Sequence, residues 1–534
     1  MEARGGIIDR DPVTFEVVRS GLYATCAEMK AVIMRTSFSP LLSLSADLSC
    51  ALLDAQGRVV AQGNDIPVHL GAVPFTVRAA IEAFPLSEWN EGDGVLLNDP
   101  YAGGTHLPDM SLIMPVWLAD GLIGFSLSRV HWPDVGGIAP GSSTVTNHIL
   151  KEGLRVPPVK IIESGELRKD IIRLILANVR IPEDRYGDFQ AQIAGAKRAE
   201  LRLRDIAERY TIPIVTEVMR DTQIYSRRLL EQRLLALPDA EVDMEERLDG
   251  DGVEATVTPL IRVKIIKQAA RLSVDFQGSS VCVRGPVNAP IAVTASAVYY
   301  TLLCLAGGDI PPNEGAYDLA EVIAPLGTVV NATAPSPVVA ANTETSNRIV
   351  DVILAALAKA YPEQVPAGSY GSACVYTLGG FDPHRRREFV HYETVGGGMG
   401  AHFLNNGASG IRVHMGNTMN LPIEAIEATI PIRFHAYELV RESCGRGTRH
   451  GGAGARKVFE ALIDGIEASI LGERTNSPAH GVNGGERGEC ARFVLIPHSG
   501  ARTMLPAKSG PHRLVRGDRV EMVTAGGGGW GREL

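Results

Sequence analysis

No CxxC pair occurs in this 534-residue sequence: its seven cysteines (26, 50, 282, 304, 374, 444 and 490) are scattered and odd in number. That argues against a disulfide framework and against a thiolate metal cluster. Basic residues are not in excess either. Lys+Arg 52 against Asp+Glu 61 leaves a net charge of −9, which excludes a generic polyanion binder, so no nucleic acid partner is expected. Apolar runs fall short of the roughly 18–20 residues of a membrane span, and no membrane association is expected. The opening MEARGGIIDRDPVTFEVV holds no apolar block between a basic flank and a cleavage site, so no secretion leader is expected and the cytoplasm is the expected compartment. A GxxxxGK[ST] phosphate loop is missing; GGAGARK has neither the spacing nor a hydroxyl after its lysine. What is present is an ordinary globular balance, 45% hydrophobic and 21% charged, with an excess of glycine, 57 residues. A chain this rich in glycine folds with many tight turns and close backbone approaches.

Apolar periodicity places the elements. Asp11-Pro12 starts a helix whose Phe15, Val18, Leu22, Cys26, Met29 and Ile33 fall three and four apart, on one face. Leu48–Leu53 and Val59–Ala61 read as a β-hairpin, Pro74–Ala83 as a helix, and Gly94–Leu97 as a strand ending in the turn former Asn98-Asp99-Pro100. Met110–Trp117 and Leu122–Val130 form a second hairpin around Ala119-Asp120-Gly121. Residues 166–237 are helical in character. Strands are expected at Val253–Thr258 and Leu272–Phe276, and helices at Ala289–Leu305 and Ile349–Tyr361. From about residue 366 the chain turns Gly-rich and short-stranded. The expected fold class is α+β: mixed, largely antiparallel sheets with helical segments and a Gly-rich β C-terminal part. The expected regions are 1–205, 206–365 and 366–534.

Two HxxD motifs carry the chemistry, His106-Leu107-Pro108-Asp109 and His131-Trp132-Pro133-Asp134. A hairpin turn centred on Asp120 sets Asp109 opposite His131, with Cβ atoms about 4.5–5.5 Å apart on one sheet face. His106 folds over the same edge. Two imidazoles and a carboxylate at one hairpin end suit one divalent ion, zinc first, or manganese or iron where more oxygen joins. Spacing alone leaves a second reading open, because His and Asp beside Pro-Gly turns also serve as turn and cap residues. Likewise Gly396–Gly400 (GGGMG) can cradle an anion or make tight turns, and Asn342–Arg348 (NTETSNR) can meet substrate or cap a helix.

The blocks SADLSCALLDAQGRVVAQG, HLGAVP, NDPYAGGTHLPD and VHWPDVGG are similar to those of the B component of the hydantoinase/oxoprolinase family. So are GDFQAQIAGAKR, GPVNAP, ANTETSNRIVD, NLPIEAIEATIPI, RHGGAGARK and GGGGWG, and the resemblance covers nearly the whole chain. It implies an ATP-dependent hydrolase of cyclic amides (hydantoins, 5-oxoproline or lactams), with subunits of ketone carboxylases as relatives. It also implies a mononuclear metal site whose ligands here would be Asp47, His106, Asp109 and His131. Asp134 would either orient a ligand imidazole or cap the Gly-rich turn after it.

The family's division of labour accounts for the missing phosphate loop. ATP would be used by a partner subunit resembling the A component, with an actin-like fold, which phosphorylates the amide oxygen. This chain would then hydrolyse the activated carbonyl, so a hetero-oligomer is expected. Amide resonance makes the unactivated carbonyl a poor electrophile. The alternatives are a subunit of an ATP-dependent ketone carboxylase and, of another class, a non-catalytic scaffold.

Overall fold

Asp11 caps the first long helix, Pro12–Thr36, by accepting a hydrogen bond from Thr14 N at 3.0 Å, and the six periodic apolar residues are part of its buried stripe. In the computed structural model, which describes residues 6–119 and 121–533, that stripe packs on the helix Pro182–Tyr210. Gly195 brings the two helices together, since a Cβ there would sit 2.8 Å from Ile33 Cδ1. The first five residues of the sequence, where a leader was not expected, and Asp120, the expected turn centre, lie outside the described residues.

The helix pair covers one face of a seven-stranded sheet. Its strands are β1 (Leu48–Asp54), β2 (Val59–Gln62), β3 (Gly94–Leu97), β4 (Asp109–Leu118), β5 (Gly121–His131), β6 (Val159–Glu163) and β7 (Glu166–Leu167), in the order β2-β1-β5-β4-β3-β6-β7. The helix Val73–Ala83 packs Val73, Val77 and Ala80 against the other face. With both faces covered, β1 to β3 are buried at every residue, which is why they read as continuous apolar runs. Both predicted hairpins are present. The register of β4 and β5 pairs Asp109 with His131 and runs regularly to Val116 with Gly124 before a bulge at Trp117.

A second sheet, β11-β10-β9-β8, comprises β8 (Ala240–Arg247), β9 (Leu260–Gln268), β10 (Arg271–Asp275) and β11 (Ala320–Ile323). Here the expected strand Val253–Thr258 is wrong. The Asp251 carboxylate accepts from Val253 N at 2.8 Å and Glu254 N at 2.7 Å, beside Gly252 at φ +84°. That turn takes the N–H groups a strand would need. β8 and β9 flank it, with β9 alternating between core and solvent. The helix Ser346–Leu357 packs on this sheet and on the helix Ile291–Ala306. It is entered through a π-helical turn, Ala341–Thr345.

Two further sheets follow residue 366. In one, β12 (Val375–Asp382) lies between β13 (Arg387–Thr394) and Ile466–Leu471. Gly-rich segments between the strands bond to one another through the backbone: Gly398 N to Ala525 O, Gly452 N to Met399 O, Gly527 N to Gly452 O. They approach too closely for side chains, as a Cβ on Gly398 would lie 2.0 Å from Gly452 O. The fold class is thus α+β as read from the sequence. Residue 205, taken as a region boundary, falls inside the helix Pro182–Tyr210. Among the described residues no helix is long and apolar enough to cross a membrane.

Candidate metal centre

The segment NDPYAGGTHLPD is pinned at both ends before it delivers His106 and Asp109. Asn98 Nδ2 donates to Leu107 O at 2.6 Å and Leu154 O at 2.9 Å, while its Oδ1 accepts from Val156 N at 2.7 Å. Gly103, at φ +81°, passes so close to the helix Val73–Ala83 that a Cβ would sit 2.4 Å from Phe75 O. Thr76 Oγ1 donates to Gly103 O at 2.6 Å. The chain then turns, Asp109 N donating to His106 O, and enters β4 with Asp109 facing His131 at the end of β5.

His106, Asp109 and His131 offer ligand atoms that all lie within 4.8 Å of one another. All three residues are buried, at 0%, 0% and 2% exposure. His106 Nε2 is 3.0 Å and His131 Nδ1 3.3 Å from Asp109 Oδ1, yet Oδ1, both His106 nitrogens and His131 Nε2 make no aligned hydrogen bond. Buried polar atoms left unpaired are costly, and two of these, His106 Nε2 and Asp109 Oδ1, lie side by side at 3.0 Å. Burial opposes the charge on Asp109, but the His106 and His69 imidazoles overcome it and hold the carboxyl well below its usual range. Burial keeps His106 below its ordinary pKa. An ionised carboxylate beside a neutral imidazole is the protonation state a divalent cation requires, so the residues present fit such an ion.

Asp109 Oδ2 is held separately. It accepts from Thr105 Oγ1, lies 3.2 Å from His69 Nε2, and accepts from Asn342 Nδ2 at 3.4 Å. His69 is steadied in turn by Ser49 Oγ at 3.3 Å from its Nδ1 and by Arg129, whose Nη1 donates to His69 O at 3.0 Å. Neither His69 nor Asn342 was singled out individually from the sequence. His69 stands alone in HLGAVP with no second ligand at metal spacing, and Asn342 is more than 200 positions away. Only the NTETSNR block as a whole signalled the latter, and the structure puts its first residues in a π-helical turn.

Asp47 follows Ala46, which sits at φ +55°, and its carbonyl accepts from His131 N at 3.1 Å. Its side chain lines a narrow chamber of about 30 Å³ together with His69, His131, Asn342 and Arg412, but Asp47 is outside the set of mutually close ligand atoms. Asp134 turns elsewhere. Its carboxylate accepts from Gly136 N at 2.8 Å, Gly141 N at 2.9 Å and Arg180 Nη1 at 3.0 Å, so of the two readings offered by the sequence the structure displays the turn cap. The Gly396–Gly400 segment has no free cradle: Gly397, Gly398, Met399 and Gly400 all donate their N–H groups to Ile411 O, Ala525 O, Ala408 O and Ser369 Oγ.

Tyr392, from β13, closes the chamber with its ring on His131, centroids 4.3 Å apart. Beyond it lies a much larger cavity, about 840 Å³, walled by Phe38, Leu41, Phe389, Leu421 and Ile430. Among the described residues Tyr392 lines both.

Known proteins share this sequence and this fold. The hydantoinase B/oxoprolinase family profile matches residues 11–533. An uncharacterized protein of Methanocaldococcus jannaschii is 35% identical, over 98% of this chain and 91% of its own length. The beta chain of the caprolactamase of Pseudomonas jessenii is 30% identical over 98% and 91%. 5-Oxoprolinase 1 of Arabidopsis thaliana is 33% identical over 98% of this chain but 42% of its own length, so the chain spans about two fifths of that relative. The crystal structure of the ATP-dependent caprolactamase of P. jessenii superposes with a TM-score of 0.91 at 28% identity, covering 98% of this chain and 92% of the other. Nucleotide-free acetone carboxylase shares the fold, with a TM-score of 0.89 at 18% identity over 99% and 77%. The chain belongs to the hydantoinase B/oxoprolinase family.

Proposed function

We propose that this chain is the metal-dependent hydrolytic subunit of an ATP-dependent cyclic-amide hydrolase acting on a hydantoin, 5-oxoproline or a lactam. The observation that carries the reading is that buried His106, Asp109 and His131 bring one ligand atom each within 4.8 Å of the others, with His106 Nε2 and Asp109 Oδ1 unpaired. Asp47 is proposed as the fourth ligand, because its backbone is bonded to His131 and its side chain faces the same chamber. Zinc is the first choice of ion, with manganese or iron as the alternatives. A divalent ion held there supplies a water acidic enough to lose its proton near neutral pH.

The chain's own residues do the rest. Thr105, His69 and Asn342 fix the orientation of the Asp109 carboxylate, and Tyr392 screens the chamber from the larger cavity, whose volume is in the range of ligand sites. That cavity is where the substrate ring would be held. ATP would be spent on a partner subunit resembling the A component, which phosphorylates the amide oxygen. Water oxygen then adds to the activated carbon, the ring C–N bond breaks with the nitrogen taking a proton, and a second water releases phosphate from the acyl phosphate. Two relatives, the caprolactamase beta chain and a hydantoinase component of a Pseudomonas strain, are named as parts of multi-chain enzymes, which supports a hetero-oligomer.

Co-expression with the A component tests this. Ring opening of caprolactam, 5-oxoproline or hydantoin should require both chains, ATP and the metal, and proceed without bicarbonate. The isolated chain should neither bind ATP at micromolar concentration nor hydrolyse it. Product formation that needs bicarbonate would favour the ketone carboxylase, and undiminished turnover after metal removal would overturn the proposal.

A further inference from the structure

Three arginines buried in this protein, Arg185, Arg348 and Arg474, are matched by acids. Arg348 pairs with Glu473 at 2.6 Å and Arg185 with Asp188 at 3.1 Å, and Arg474 pairs with Asp351. Arg129 lacks an acid but spends its donors on Ser111 Oγ, His69 O and Thr76 Oγ1. Arg412, on the loop that closes the chamber, differs from both groups. Among the described residues it makes no ion pair within 4.0 Å; Nη1 donates to Ala373 O, and Nε, like those of Arg185, Arg348 and Arg474, is buried without an acceptor. The nearby Glu344 carboxylate is already engaged by Ser372 Oγ and Ala373 N.

The guanidinium lies directly against Gly416, where only a residue without a side chain fits. Gly416 lines the chamber, and a Cβ there would stand 2.5 Å from Arg412 Nη2. The lining also includes Thr343, Thr394, Thr418 and Asn342, together with His69, Asp47 and His131, the last of these a member of the candidate ligand triad. A guanidinium with an unspent donor, sharing a chamber with threonine and asparagine side chains and with His131 of the candidate metal triad, matches an oxyanion on a ligand that reaches the metal. Guanidinium geometry suits planar or tetrahedral oxyanions, bound through two parallel N–H···O bonds.

We propose that Arg412 is the anion-binding residue of the chamber, holding a phosphoryl or carboxylate oxyanion carried by the substrate. The two sources share one chemistry: the phosphoryl group of the activated amide, or a carboxylate on the ring. Identification of the source rests on the hydrolase reading above, whereas the existence of the anion site does not.

The test is binding by isothermal titration to the metal-loaded full chain, without ATP or partner, so it stands whether or not turnover is found. Inorganic phosphate probes the first source. 5-Oxoproline against 2-pyrrolidinone, the same ring without its carboxylate, probes the second. At least one anion should bind the wild type and weaken tenfold or more in Arg412→Gln, with 2-pyrrolidinone unchanged. Arg412→Lys, which keeps the charge and loses the fork, should fall between. Metal content and melting temperature of both variants, matched to wild type, show that the chamber is intact. An Arg412-dependent preference for phosphate assigns the phosphoryl group, and one for 5-oxoproline over 2-pyrrolidinone assigns the carboxylate. If neither anion binds the wild type, or both bind Arg412→Gln and Arg412→Lys as tightly as wild type, the proposal is overturned.

Discussion

His69 Nε2 lies 3.2 Å from Asp109 Oδ2, while His106 and His131 converge on Oδ1. The carboxylate is thereby divided, Oδ2 held beside His69 and Oδ1 facing His106 and His131. His69→Ala should leave Asp109 free to rotate and weaken metal binding by about 10–100-fold, the usual effect of losing a group that orients a ligand. Competition against a chelator of known affinity measures this. An unchanged dissociation constant would mean that Thr105 and Asn342 suffice.

His106→Ala and His131→Ala should each remove most of the bound metal. His148→Ala and His402→Ala should not, because those imidazoles accept only from Leu150 N and Leu404 N in exposed turns. Asp134→Asn should also keep the metal and lose stability instead, since its contacts are to Gly136, Gly141 and Arg180. Elemental analysis of the purified variants decides. A full equivalent of metal on His131→Ala would refute the site.

Burial pushes the Glu152 carboxyl up to about 8, against the hydrogen bonds its Oε1 accepts from Thr146 Oγ1, Val338 N and Val339 N. A carboxyl raised in the folded state stays protonated while its unfolded counterpart ionises, so its contribution falls as pH rises from about 4.5 to about 8. The loss is on the order of 5 kcal/mol. Glu152→Gln keeps the acceptor oxygen and cannot titrate. Urea unfolding at pH 5 and pH 8 should therefore show the variant gaining on wild type at the higher pH. A constant difference between the two proteins would count against a protonated Glu152.

Gly398→Ala should cost more than about 3 kcal/mol or abolish soluble expression, because the new Cβ meets Gly452 O at 2.0 Å and Gly527 N at 2.3 Å, backbone atoms that cannot swing aside. Gly250→Ala, whose nearest neighbour is 3.8 Å away, should stay within about 1 kcal/mol of wild type. Thermal unfolding of the pair separates packing from glycine content as such.

Local pattern determined much of this molecule. The Asp11 cap, the stripe from Phe15 to Ile33, both hairpins and the facing of Asp109 and His131 follow from periodicity and turn chemistry, because each depends on residues within about 25 positions of one another. Val253–Thr258 misled for a local reason as well, its donors being taken by Asp251. The chamber is another matter. Asp47 and His69 flank the first hairpin, Asn342 sits at a π-helical turn, Tyr392 ends a strand of another sheet and Arg412 lies on a Gly-rich loop. No period relates these positions. They meet only because the sheets and helices bury their apolar faces on one another, and that packing, a sum over long-range contacts, is what tertiary structure alone decided.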